Sequence, residues 1–251
     1  KSIYKEILMK IVGLITEYNP FHNGHLHHIE QAKQITGADA AVVVMSGDYV
    51  QRGVPAFMPK RVRAEMALKC GASAIFELPV CYATGSAEHF ALGAVSLLDS
   101  LGIVDCICFG SECNDLDALS HVADILSREP HDYRTLLKNN LKKGSSFPSA
   151  RQNAMLEYTK NSSYASLLDD PNNILGIEYL KALKKVESPM VPFTIRRMGS
   201  HYHDQSLDSG NLSSASAIRS LLAYSGAVIS TERMGGGFED TAFSTVLGEL
   251  E

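Results

Sequence analysis

No apolar run in this chain of 251 residues approaches the length of a membrane-spanning helix, and mean hydropathy is near zero at −0.03. A transmembrane segment is therefore not expected, because a span needs about 20 consecutive apolar residues. Residues 1–10 lack the unbroken hydrophobic core that a secretory leader places before its cleavage site, so a cytoplasmic enzyme is expected. Cysteine is sparse: five thiols, an odd number, suit a reducing compartment better than a disulfide scaffold. Cys106, Cys108 and Cys113 have neither the C-x2-C spacing of a zinc knuckle nor a second pair to complete one. On a strand, Cys106 and Cys108 would share one face as small buried hydrophobes. Excess positive charge is missing too; the net charge is −5, so any RNA surface must rest on local patches. No internal repeat is evident.

What is present is an alternation of apolar runs with amphipathic stretches. Strands are expected over 11–15, 40–45, 74–76, 103–109 and 191–195, and helices near 25–36, 60–70, 87–100, 115–127, 173–186 and 214–224. Continuous runs such as Ala41-Val42-Val43-Val44-Met45 suit strands covered on both faces. The fold class is accordingly α/β: a Rossmann-like, doubly wound parallel sheet. Residues 128–170 are richer in charge and broken by Gly144-Ser145-Ser146-Phe147-Pro148, which reads as a helical insertion, a lid or a platform for a large substrate. One domain is expected over residues 1–225, followed at 226–251 by a flexible tail or the start of a further region, with a break at Gly235-Gly236-Gly237.

The most informative stretch runs from Gly13 to His25: an apolar strand, an Asn19-Pro20 turn, then His22-Asn23-Gly24-His25 opening a helix whose buried face is expected to hold Leu26, Ile29, Ala32 and Ile35. A helix start offers unpaired N–H groups and the positive end of the dipole to an anion, and Gly24 permits close approach to the backbone. Two imidazoles there can donate to a phosphate that gains charge in a transition state. Ligands of doubly wound sheets bind beyond the carboxyl ends of the strands. His22, Ser46-Gly47-Asp48, Glu77-Leu78-Pro79 and Gly110-Ser111-Glu112 each follow one of the first four strands.

These residues resemble the His-x-Gly-His nucleotidyltransferases. The blocks GLITEYNPFHNGHLHH, MSGDYVQRGVPA, FELP, FGSE, PNNILGIEYLKAL and SSASAIR together resemble the bacterial tRNA(Met) cytidine acetate ligase family, over residues 11–222. The resemblance implies ATP-dependent activation of acetate as acetyl-adenylate, followed by acetylation of N4 of the wobble cytidine of elongator tRNA(Met). It implies ATP, with Mg²⁺, against the run Ile15, Thr16, Glu17, Tyr18, Asn19, Pro20, Phe21, His22, Asn23, Gly24, His25, Leu26, His27 and His28. Gly110, Asn173, Arg196, Ser214 and Ser216 complete that implied pocket, and His22, His25 and Arg219 are its implied stabilisers of the transition state. Ala215 stands where the superfamily's second signature has Ser, and Ser216 where it has Thr. The resemblance also implies a longer protein, with a C-terminal portion used on tRNA expected beyond these residues.

Basic clusters at Arg52, Lys60, Arg61 and Arg63, and at Lys138, Lys142, Lys143 and Arg151, are candidate RNA contacts or simply solvated helix faces. Of these Arg52, Lys60, Arg61, Lys142 and Lys143 are the tRNA candidates. Asn172 also reads as an N-cap, and Asp48 and Glu112 as orienters of substrate or metal, while no side-chain metal site is assigned. Three other readings stay open. They are a small-molecule adenylyltransferase, a metal-dependent hydrolase using His22, His25, His28, His201, His203 and Asp204, and a non-catalytic RNA-binding protein on a nucleotide fold.

Overall fold

The computed structural model describes residues 9–197 together with Ala215 and residues 218–220. Along the chain come β1 (Ile11–Thr16), α1 (Asn23–Thr36), β2 (Ala40–Ser46), α2 (Lys60–Lys69), β3 (Ala74–Leu78), α3 (Val80–Ala83), α4 (Ala87–Ser100) and β4 (Cys106–Ser111). There follow α5 (Leu116–Arg128), α6 (His131–Lys142), α7 (Phe147–Thr159), α8 (Ser162–Ser166), α9 (Pro171–Lys185) and β5 (Val191–Arg196). The strands form one parallel sheet in the order β3-β2-β1-β4-β5. Winding reverses between β1 and β4, which in such sheets opens a crevice beyond the strand ends. No helix among the described residues is long and apolar enough to cross a membrane.

Both faces of the sheet are covered, as the uninterrupted apolar strands require. Val12 and Leu14 of β1, with Ala41, Val43 and Met45 of β2, are buried with Ile29 and Ala32 of α1. The alternate residues Val42 and Val44 are buried with Phe90, Ala94 and Leu98 of α4, in the larger cluster that also holds α5 and α9. At Gly13 the approach of α4 is so close that a Cβ would sit 2.8 Å from a Leu98 methyl.

Two expectations shift. The apolar run begins at Ile103 but β4 begins at Cys106: the Asp105 carboxylate accepts the Ile11 N–H at 2.7 Å, so a side chain stands in for the ladder, and Ile103 is left exposed. On α1 the buried stripe is Ile29, Ala32 and Thr36, with Ile35 exposed. A strict spacing of three falls behind the 3.6-residue turn, so the third repeat has rotated out of the core.

The insertion is helical, as expected. α6 and α7 pair across Gly144, where Asn140 donates to Glu157 at 3.0 Å, and α7 is fastened to α9 by Arg151–Glu178 at 3.0 Å. The Glu178 side chain is only 5% exposed and also takes Lys181 at 2.6 Å. Removing one partner of such a buried pair is costly, so α7 is held firmly against α9. Arg151 is thereby withdrawn from the basic patch.

Candidate active site

The loop between β1 and α1 is built around its two histidines. His22 is the N-cap of α1: its Nδ1 accepts the Gly24 N–H at 3.1 Å, while Nδ1 of His25 accepts the His22 N–H at 3.3 Å. This is a capping box with imidazoles in place of the usual hydroxyl and carboxylate. An Nδ1 that accepts carries no proton, so in each neutral ring the remaining N–H is at Nε2. Burial, then Arg197 and Arg219, lowers the His22 pKa to about 4. Burial and the neighbouring His22, His28 and Arg197 hold His25 well below its ordinary value. The rings lie 3.9 Å apart between centroids, a pair of neutral donors at a helix N-terminus. Gly24 is required by the box as well as by any ligand, since a Cβ there would lie 2.8 Å from the His22 ring.

Beneath the pair lies an aromatic floor. Tyr18 and Phe21 are 1% and 3% exposed, and their ring centroids stand 4.8 and 5.6 Å from that of His25. Their side chains hold His25 in place; what they can offer a ligand is backbone. Asn23 and Gly24 open the helix, Leu26 and His27 are half-buried along it, and Ile15 and Thr16 end β1. Pro20 is buried after a cis bond to Asn19. His28 has its pKa lowered to about 4 by burial and by Arg197, and its Nε2 has no hydrogen-bond partner among the described residues.

Three ties fix the loop. Arg219 donates to the Asn19 carbonyl at 2.5 Å, with its neighbour Ile218 fully buried, so Arg219 reaches the loop that carries His22. Asn19 Oδ1 accepts the Phe57 N–H at 2.6 Å, and Glu17 accepts the Gln51 N–H at 2.8 Å. Burial raises the Glu17 pKa against that bond and the nearby arginines. Arg63, taken from sequence as part of a basic surface, is instead fully buried. Its guanidinium donates to the carbonyls of Met58 (3.0 Å), Glu17 (2.5 Å), Ser46 (3.1 Å) and Gly47, lashing the ends of β1 and β2 together. No local pattern in sequence distinguishes such an arginine from an exposed one.

Beyond β4 the Glu112 carboxylate accepts from the Asn172 side chain (2.6 Å) and the Asn173 N–H (2.9 Å). It thus caps α9, whose own N-cap residue is Asp170 and not Asn172. Asn173 returns the contact: its Oδ1 accepts from the N–H groups of Glu112 (3.0 Å) and Cys113 (3.2 Å), and its Nδ2 donates to Asp170. Asn173 is 1% exposed, so it shapes the loop after Gly110. Arg196 ends β5 and Arg197 follows it, both exposed; after burial, the Arg197 charge is one that acts on all three histidines. Alternation along β5 carries that signal, since Arg197 lies on the face of Ile195, which packs against the cluster under α1. A Cβ on Gly110 would lie 2.9 Å from the Arg197 side chain.

On the opposite side, Asp48 and Glu77 hold Lys60 at 3.7 and 2.8 Å, so Lys60 is already paired. Arg52, Arg61, Lys142 and Lys143 are exposed, the last two at the end of α6. Cys106 and Cys108 are each 1% exposed among the side chains under α1, while Cys113 packs against the opposite cluster, so these three thiols do not converge. Among the described residues no three His, Cys, Asp or Glu side chains group as a metal site. Asp48 and Glu77 pair with Lys60, and Glu112 with the start of α9. Ser214, Ser216, His201, His203, Asp204 and the expected tail lie outside the described residues.

The family model described as HIGH Nucleotidyl Transferase matches residues 9–236. A tRNA(Met) cytidine acetate ligase of Caldanaerobacter subterraneus subsp. tengcongensis is 53% identical over 218 residues, 87% of this chain and 54% of that protein. One of Acetivibrio thermocellus is 50% identical over 218 residues, 86% and 52% of the respective chains. The crystal structure of Thermotoga maritima TmcAL in its apo form superposes with a TM-score of 0.83 at 40% identity, over 96% of this chain and 57% of that one. TmcAL bound with alpha-thio ATP gives 0.79 at 39% identity, over 96% and 56%. The chain thus spans about half the length of the curated relatives it matches.

Proposed function

The chain belongs to the HIGH Nucleotidyl Transferase family, and on that footing we propose that it carries the ATP-dependent half of a tRNA(Met) cytidine acetate ligase. The carrying observation is the pair of neutral imidazoles, each with Nδ1 occupied by the helix start and Nε2–H left to donate. In the first step an acetate oxygen attacks the α-phosphorus of ATP, the bond to the bridging oxygen breaks, and pyrophosphate leaves with that oxygen. His22 and His25 donate to the phosphoryl oxygens as charge develops, and Arg219 and Arg197 add positive field; no protein group becomes covalently attached. Neutral donors suit the task because they give up no proton that the product must recover. Mg²⁺ would arrive on the ATP phosphates, its usual ligands, and not on a side-chain cluster.

In the second step N4 of the wobble cytidine of elongator tRNA(Met) attacks the acetyl carbonyl. The C–O bond to AMP breaks, AMP leaves, and N4 loses a proton to solvent. This reading rests on the likeness to the named ligases together with the geometry beyond β1. Acetate-stimulated exchange of labelled pyrophosphate into ATP tests it, since exchange requires the acceptor that attacks the α-phosphorus. Exchange stimulated by a mononucleotide acceptor and indifferent to acetate would point to a cofactor-making adenylyltransferase.

A further inference from the structure

The ATP candidates beyond β4 and β5 leave the β2–β3 side of the switch point without a ligand, and that side is elaborately built. The loop after β2 folds into a tight hairpin. Tyr49 bridges Pro55, the Val54 carbonyl accepts from Val50 (3.0 Å), and the Asp48 carbonyl accepts from Ala56 (2.9 Å). Its tip and its return end are bonded to the loop between β1 and α1, Gln51 to Glu17 and Phe57 to Asn19. Yet this well-held hairpin presents large apolar groups to solvent: Tyr49 is 49% exposed, Val54 53% and Phe57 43%. Arg52 lies between Tyr49 and Val54, and Arg61 follows in the first turn of α2; both are exposed. Beside the hairpin is a cavity of about 290 Å³, whose walls include Gln51 and Arg52, Ser86 and Ala87 at the start of α4, and Ile174 and Leu175 of α9.

We propose that this cavity receives the acceptor base, a single unstacked pyrimidine of an RNA loop, while Tyr49 and Phe57 stack on its neighbours. The inference rests on the RNA-acceptor reading above and assigns it a place. The volume lies at the lower edge of small-ligand pockets, about 300–1,000 Å³, which suits one nucleoside rather than a nucleoside triphosphate. Ala87, Ile174 and Leu175 give apolar walls, the Gln51 amide supplies both donor and acceptor to a base edge, and Arg52 supplies a guanidinium plane or a phosphate contact. Exposed aromatics alternating with arginine are how proteins take single-stranded RNA, whose splayed bases stack on aromatic rings. The site also adjoins the nucleotide candidates: its α9 wall, Ile174 and Leu175, follows Asn173 directly, and its hairpin wall, Gln51, donates to Glu17 of the loop after β1.

The test uses fluorescence anisotropy with a labelled RNA hairpin bearing one unpaired loop cytidine, and the same RNA abasic at that position, on wild type, Ala87→Leu, Arg52→Ala and the double variant Tyr49→Ala/Phe57→Ala. Thermal unfolding reports the integrity of each protein, and Arg52→Ala, at an exposed position, stands in should the cavity-filling variant not fold. Wild type is expected to prefer the cytidine RNA by at least tenfold. Ala87→Leu and Arg52→Ala should reduce that preference to threefold or less, and loss of the two rings should weaken both RNAs by roughly tenfold per ring. Equal binding of the two wild-type complexes, no binding of either, or folded variants that keep the wild-type preference overturns the proposal. Acetate-dependent exchange by the wild-type protein is measured alongside; its absence strikes the ligase reading, whereas its presence with an unmoved base preference strikes the pocket alone.

Discussion

His22 has two separable duties, and substitution by Ala or Asn divides them. Its Nδ1 caps α1 through Gly24, and its Nε2–H is proposed to meet the α-phosphate. Loss of an N-cap side chain costs about 1 kcal/mol, which for a domain of this size lowers Tm by roughly 2–4 °C. Loss of one transition-state donor costs roughly 10²–10³ in turnover. Asn is among the best N-caps but offers no donor where Nε2 stands. His22→Ala is therefore expected to lose both the 2–4 °C and the 10²–10³ in kcat, and His22→Asn to lose the rate while keeping most of the Tm. ATP affinity should change little, because a donor used in the transition state need not bind the ground state. Differential scanning fluorimetry reads the first quantity and pyrophosphate exchange the second. An Asn variant with wild-type turnover, or an Ala variant with unchanged Tm and slowed exchange, refutes the double role.

Further outcomes follow from the same geometry. His22 is held at about 4 against 6.5 when unfolded, so below pH 6.5 the unfolded chain binds protons that the folded chain refuses. Stability should be full above pH 6.5 and fall by up to about 3 kcal/mol toward pH 4 from this group, and urea titrations showing no loss between those values would contradict it. Arg63→Lys keeps the charge but not the fork that reaches four carbonyls; a cost of about 3 kcal/mol or more is expected, with a shift under 1 kcal/mol in urea unfolding counting against the lashing role. Cys81 is exposed, whereas burial raises the Cys106 pKa and raises that of Cys108 to about 12, so a thiol reagent should modify Cys81 in the native state and reach Cys106 and Cys108 only on unfolding. Neutralising Lys142 and Lys143 is expected to weaken tRNA binding and reduce its salt dependence while acetate-dependent exchange persists; unchanged affinity in gel-shift titration would remove α6 from the RNA surface.

The sheet was legible because its signals are local. An uninterrupted Ala41–Met45 run is a strand covered twice, and Gly24 between two histidines before an amphipathic run marks the start of α1. What escaped depends on contacts between distant segments. Asp105 replaces part of a strand through Ile11, 94 residues away, and Glu112 caps a helix that begins 59 positions later. Arg63 sits in a polar run and differs from Arg61 only in which way the helix turns it. Capping by His22 was hidden for a chemical reason: imidazole is not among the residues that ordinarily cap helices. Arg197 was within reach, because strand alternation from Ile195 places it on the histidine side and Arg196 on the other.

The central claim is that the loop beyond β1 transfers the adenylyl group of ATP to acetate. The most direct measurement is exchange of labelled pyrophosphate into ATP by this chain, with and without acetate and in the absence of tRNA. Exchange that rises with acetate, saturates, and collapses in His25→Ala is the expected result. Exchange that ignores acetate, or that survives in His25→Ala at the wild-type rate, would contradict it.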